Sequence, residues 1–155
     1  MVDIYQKLVS YVDDIKERNN SSASALVIIK DGSNILEHYS GFHSNSNAIP
    51  ISETSEFNVA SARKSYLGLA IAYALYEGKI KSIDDYALDY FDSFDKELIS
   101  GTTLRHLVTH SHGLNERKDG SIYREFAPGE GWAYRGINIQ MMTELINKLY
   151  GKSFP

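Results

Sequence analysis

Ser61-Ala62-Arg63-Lys64 forms a Ser-x-x-Lys pattern at the start of an apolar stretch. Residues i and i+3 share a helix face, so the Lys64 ammonium lies within reach of the Ser61 hydroxyl. Serine is a poor nucleophile until a neighbouring base takes its proton, and a lysine desolvated among apolar residues can be that base. A serine in a first helical turn also has free backbone N–H groups and the positive dipole end beside it, which suits an oxyanion. The pattern alone is a weak signal. Ser93-Phe94-Asp95-Lys96 repeats it in an acidic, polar stretch, where a solvated turn or helix end accounts for it. For Ser61 taken alone, an ordinary capping serine beside a surface lysine is an equal reading.

Two further clusters have chemical potential. His106 and His110 stand i, i+4 on one helix face with His112 nearby, the geometry of metal ligands. Leu107 occupies the place where a metalloprotease pattern needs its glutamate, which favours capping or core roles for these histidines and no metal. Trp132-Ala133-Tyr134-Arg135-Gly136 follows a Pro-Gly turn, and a phenol near a lysine and an arginine can act as a general base. The chain has 11 Tyr, however, and most of them must be packing residues.

The elements that position these residues can be read from periodicity. Ile4, Leu8, Tyr11, Val12 and Ile15 recur at helical spacing, which predicts an amphipathic opening helix. Ala25 to Ile29, an Asp31-Gly32 turn and Ile35 to Tyr39 predict a β-hairpin. Residues 43 to 56, rich in Ser and Asn with Pro50, read as a loop. Ser61 to Tyr76 reads as one continuous, mostly buried helix ending near Gly78. Ser82 and Thr102/Thr103 are placed to cap two short helices, and Ile137 to Tyr150 predicts a final helix before Gly151. The fold class expected is α+β, with residues 1–57 forming helix plus hairpin and 58–155 mainly helical. Only two strands are visible, and a lone hairpin is marginal, so the sheet wants more strands.

Composition narrows the function classes. With 16 Lys+Arg against 20 Asp+Glu the formal charge is −4, which argues against broad phosphate-backbone binding and hence against nucleic acid. Zero Cys removes thiolate nucleophiles, disulfides and Cys-ligated metal sites. The longest charge-free apolar stretch, Tyr66 to Tyr76, is about half of what a bilayer span requires. Met1 to Lys7 has no basic region leading into an apolar one, which points to the cytoplasm, or outside it if a leader has been removed.

Three segments taken together are more specific than any one. They are Phe57 to Ser65 followed by Leu75-Tyr76-Glu77-Gly78-Lys79-Ile80; Thr103-Leu104-Arg105-His106-Leu107-Val108-Thr109-His110-Ser111-His112-Gly113-Leu114; and Pro128-Gly129-Glu130 through Trp132-Ala133-Tyr134 to Tyr150-Gly151-Lys152-Ser153-Phe154. In this order and spacing they resemble the serine β-lactamase-like family, the branch with class C β-lactamases, D-Ala-D-Ala carboxypeptidases and related esterases. The resemblance covers the chain from about residue 25 onward and implies the β-lactamase/transpeptidase-like fold in truncated form, with the later sheet strands absent. It implies Ser61 as the acylated nucleophile, Lys64 as its proton-accepting partner and Tyr134 as the proton shuttle of the Tyr-x-Asn motif. The Ser61 N–H would be one oxyanion donor. No cofactor is implied, and the partner is a small-molecule or peptide-like acyl substrate.

Two departures from the family pattern stand out. Gly136 occupies the Asn position of the second motif and Arg135 a common Ser position, so Arg135, Gly136 and the nearby Asn138 are the candidate substrate-binding residues. The third motif, Lys-Thr-Gly or His-x-Gly on an inner strand, lies beyond Pro155, so the 155-residue chain itself is expected to be weakly active or inactive. Open sheet edges would also invite self-association. The competing reading is a catalytically silent binding module of the same fold.

Overall fold

The hydrophobic face read into the first helix is not the face that packs. The protein's structure, a computed structural model, describes residues 4–153; Met1 to Asp3, Phe154, Pro155 and the side chains of Ile4 and Asn47 lie outside the described residues. Helix α1 (Ile4–Arg18) buries Val9 and half-buries Val12, while Leu8, Tyr11 and Ile15 are exposed. The reason is polar. Asp13 accepts from His38 Nε2 at 3.0 Å and from Ser24 at 3.2 Å, and Lys16 donates to Ser40 at 2.8 Å, which turns that face of α1 toward the strands.

Strands β1 (Ala23–Lys30) and β2 (Ser33–Ser44) form the expected hairpin, antiparallel with Ala25 opposite Tyr39. Asp31 and Gly32 both have positive φ, 50° and 76°, the backbone that a two-residue hairpin turn demands. A bulge between Ile28 and Ile29 shifts the register near the turn. The expectation of a loop over 43–56 is corrected in part. β2 continues to Ser44, the chain turns at Asn45 and Ser46, and β3 (Asn47–Pro50) returns antiparallel, giving a three-stranded sheet in the order β1-β2-β3. The Ser/Asn cluster marks a tight turn there, with Pro50 at the strand end where its missing N–H does least harm. These elements form one compact unit, Met1–Asn58.

The second unit, Val59–Pro155, is built around two helices. A 3-10 turn at Ala60–Ala62 leads into α2 (Arg63–Tyr76), and the last helix, α5 (Ile137–Tyr150), packs on it. Leu67, Ile71 and Ala74 of α2 meet a core that includes Met141, Leu145 and Ile146 of α5. The expectation that α2 is mostly buried is corrected: Tyr66, Leu69, Tyr73 and Tyr76 on its other side are exposed. The helix ends where expected, with Gly78 N–H bonding Leu75 O and Lys79 N–H bonding Ala74 O.

Between these helices lie α3 (Lys96–Ile99) and α4 (Leu104–Val108), then a short antiparallel ribbon of β4 (Leu114–Glu116) and β5 (Ile122–Arg124). This ribbon escaped the sequence reading because three-residue strands carry no measurable alternation. Ser82 caps no helix. It accepts from Asp84 N–H and donates its own N–H to Asp85, closing a turn before the 3-10 segment at Ala87–Asp89. Asp95 of the second Ser-x-x-Lys copy caps α3, and Thr103 caps α4 as expected. None of the described helices is long and apolar enough to cross a membrane.

Candidate active site

Ser61 sits in the 3-10 turn, one step before α2 proper, and is preceded by Ala60 at φ 44°. A non-glycine residue in the left-handed region costs about 1–3 kcal/mol and is tolerated only where the surroundings fix it. The turn presents the Ser61 hydroxyl while Lys64 is the second residue of α2, so the two share a face as the i, i+3 spacing requires. Lys64 Nζ donates to Ser61 Oγ at 3.0 Å.

Tyr134 arrives from the opposite direction in sequence. The segment from Ala127 to Arg135 has no helix or strand, and three backbone bonds fold it: Glu130 N–H to Ala127 O, Gly129 N–H to Ser111 O, and Ala133 N–H to His110 O at 3.1 Å. The Tyr134 hydroxyl donates to Ser61 Oγ at 3.0 Å, and Lys64 Nζ lies 5.0 Å from the centroid of the tyrosine ring. The Lys64 ammonium, and secondly the Ser61 hydroxyl, hold the phenol below its ordinary range by favouring the phenolate. Ser61 Oγ is thus the shared acceptor of two side-chain donors.

Of the three candidate substrate-binding residues, Arg135 and Asn138 direct their side chains to partners other than Ser61, Lys64 and the Tyr134 hydroxyl. Arg135 turns to Glu125, with Nε to Oε2 at 3.0 Å and Nη2 to Oε1 at 2.9 Å, a two-pronged pair. Its charge is thus paired with Glu125, and the groups that act on the Tyr134 phenol are Lys64 and Ser61. Glu125 is held below the ordinary carboxylate range chiefly by this guanidinium. Asn138 is fully buried in α5, and its Nδ2 donates to Leu107 O at 2.8 Å and approaches His110 Nδ1 at 3.3 Å. Gly136 precedes α5 with open space where a Cβ would stand.

Each histidine of the 106–112 cluster has a specific role. His106 Nδ1 accepts the Thr103 N–H at 3.1 Å, forming with Thr103 a reciprocal cap on α4. His112, 1% exposed, accepts the Leu114 N–H at Nδ1, and burial pushes its imidazole down to about 4. His110 stacks on Tyr134 with centroids 4.8 Å apart and planes 24° from parallel. Burial and then the Lys64 charge favour its neutral form. Among the described residues no three His, Asp or Glu side chains gather as a cation site. Glu125 and the stacking role of His110 were not legible beforehand, since neither spacing marks a residue that meets its partner across a loop.

The comparisons agree with this architecture. The family model described as Beta-lactamase matches residues 8–155. An uncharacterized protein of Alkalihalophilus pseudofirmus is 40% identical over 96% of this chain and 44% of its own length. Penicillin-binding protein 4* of Bacillus subtilis is 26% identical, covering 83% of this chain and 33% of its own. The fold is shared with the D-alanine carboxypeptidase AmpC from Burkholderia cenocepacia at a TM-score of 0.82 and 21% identity, over 97% of this chain and 44% of that one. The chain spans less than half the length of these relatives. With the α+β fold and nearly all of its residues matched, the chain belongs to the beta-lactamase family.

Proposed function

We propose that this chain carries the acylation half of a serine hydrolase site, with Ser61 as nucleophile, Lys64 as its proton acceptor and Tyr134 as proton relay. The observation that carries the reading is the shared Ser61 Oγ, 3.0 Å from both Lys64 Nζ and the Tyr134 hydroxyl. When either partner gives up its proton, that lone pair faces the serine hydroxyl and can take the Ser61 proton. Ser61 Oγ then adds to an ester, amide or β-lactam carbonyl carbon. The bond to the leaving group breaks, and Tyr134 returns the proton to that group. Water, activated by the same pair, cleaves the acyl-serine and restores the hydroxyl. The Ser61 N–H, ahead of α2, is proposed as an oxyanion donor. The relatives named for penicillin binding and D-alanine release motivate peptide-like acyl substrates.

Incubation of the protein with a fluorescent penicillin or an activated phosphonate, followed by peptide mass spectrometry, tests the reading. An adduct on Ser61 that forms slowly, in keeping with the weak activity expected of the chain, and disappears in Ser61→Ala is expected. A wild-type protein that folds and takes up no label at Ser61 from either reagent would overturn it.

Gly136 favours a second reading, a silent binding module, because no side-chain amide extends from the position where the family pattern has Asn. Turnover of a simple ester that Ser61→Ala abolishes would exclude that reading.

A further inference from the structure

Tyr134 is an improbable residue to find fixed. It is half exposed, sits in a segment without helix or strand, and its hydroxyl meets Ser61 and Lys64 at one end. Along its ring lie Lys64 Nζ, 5.0 Å from the centroid, the tilted Trp132 ring at 6.5 Å and, closest of the three and nearly parallel, the His110 imidazole at 4.8 Å.

His110 is itself unusually constrained. Its φ is 58°, one of four positive values among described non-glycine residues, and its carbonyl takes the Ala133 N–H beside Tyr134. Its Nδ1 faces two donors, Asn138 Nδ2 at 3.3 Å and the Arg135 N–H at 3.5 Å. An Nδ1 that accepts puts the ring proton on Nε2, so the imidazole is neutral. Asn138 is in turn fully buried and anchored on Leu107 O of α4. A continuous path therefore runs from the core, through a buried amide and an imidazole, to the phenol over Ser61. Nδ1 is committed to these donors, and the contact of His110 with the site runs through the Tyr134 ring.

We infer that His110 is a positioning residue: its ring, fixed at Nδ1 by Asn138, is the platform that holds the Tyr134 hydroxyl over Ser61 and Lys64. The inference rests on the roles proposed above for those three residues. A tyrosine released from this platform samples orientations in which its hydroxyl misses Ser61, and misplacement by about 1 Å can cost on the order of 100-fold in rate.

Two ringless variants suit the left-handed backbone, His110→Gly without strain and His110→Asn with an amide oxygen to replace Nδ1. His110→Phe keeps a ring and loses the acceptor. The rate of Ser61 labelling, counted per site that finally labels, is expected to fall about 10–100-fold in both ringless variants. Reversible affinity for the reagent stays unchanged, and the pH limb of the rate moves toward the ordinary phenol range. His110→Phe, with a ring but no anchor at Nδ1, is expected to recover part of the rate. Ringless variants that label at the wild-type rate with the wild-type pH profile would overturn the inference, as would a Phe variant as slow as the Gly variant. Titration of 13C-labelled tyrosine, assigned with Tyr134→Phe, gives a readout independent of labelling. The Tyr134 midpoint should rise in the ringless variants and rise less in His110→Phe, and an unmoved midpoint in the ringless variants sinks the platform role. A wild type without an adduct at Ser61 overturns the proposed function alone, and the tyrosine titration then decides the inference.

Discussion

The hydroxyl of Tyr134 donates to Ser61 Oγ at 3.0 Å across 73 residues of sequence. That contact joins two segments with no shared secondary structure, one a 3-10 turn before a helix and the other an irregular loop. It makes the phenol the group whose removal is most informative. Tyr134→Phe keeps the ring against His110 and deletes only the hydroxyl. Labelling of Ser61 should slow by about 100-fold or more, the range of a lost acid–base group, with thermal stability nearly unchanged. A Phe variant that labels at the wild-type rate would remove Tyr134 from the chemistry.

Lys64 should reveal itself through pH. Its ammonium is the main cause holding the Tyr134 phenol below 10. If the phenolate drives acylation, the rate rises with pH through that lowered midpoint. In Lys64→Met the phenol regains its ordinary affinity for protons, so the residual rate should rise at higher pH than in the wild type. Rate profiles between about pH 6 and 10 measure this directly, and coincident limbs would show that Lys64 does not act on Tyr134.

His112 gives the fold an acid-sensitive window. Its imidazole is about 4 in the folded protein against 6.5 as a free side chain, because burial disfavours the cation and Nδ1 must stay bare to accept the Leu114 N–H. A lowered folded value means the unfolded chain binds the extra proton first. The contribution is complete above about pH 6.5, declines as pH falls, and is lost once pH has passed through about 4, a total on the order of 3 kcal/mol. Burial lowers His106 and His110 in the same direction, which adds to the slope. Urea midpoints measured from pH 7.5 to 4 should fall less steeply in His112→Asn, which accepts the Leu114 N–H without titrating.

The two faces of α2 should differ sharply. Leu67→Ala removes a 2% exposed side chain from the core against α5 and should cost about 2–5 kcal/mol. Tyr66→Ala, one residue earlier on the exposed face, should change stability by about 0.5 kcal/mol or less. Denaturation of both variants checks this, and equal losses would mean that the tyrosine face is also packed.

Gly113 makes the tightest backbone approach of the described glycines. Its φ is 68°, and a Cβ there would collide with the carbonyl oxygen of Phe126. Gly113→Ala should therefore destabilise by more than about 1 kcal/mol, whereas Gly136→Ala, with open space around it, should be nearly silent. Melting temperatures of the pair separate the two cases.

Features that depend on local periodicity or on neighbours a few residues apart are legible in the sequence. The opening helix, the Asp31-Gly32 hairpin, the Thr103 cap, the long helices near Ser61 and after Gly136, and the Ser61–Lys64 pairing are all local. A period of 3.6 residues or a two-residue turn suffices to write them. The order of the three motif segments carried the family. Tertiary structure alone decided the rest. Which face of α1 packs depended on Asp13 and Lys16 finding His38 and Ser40. Arg135 turned to Glu125 and Asn138 to Leu107 and His110, because those partners stand across loops or on another helix. The short β4–β5 ribbon and β3 exist because partner strands return beside them. Each of these outcomes is a competition among polar groups brought close by folding, and no periodicity records who their neighbours will be.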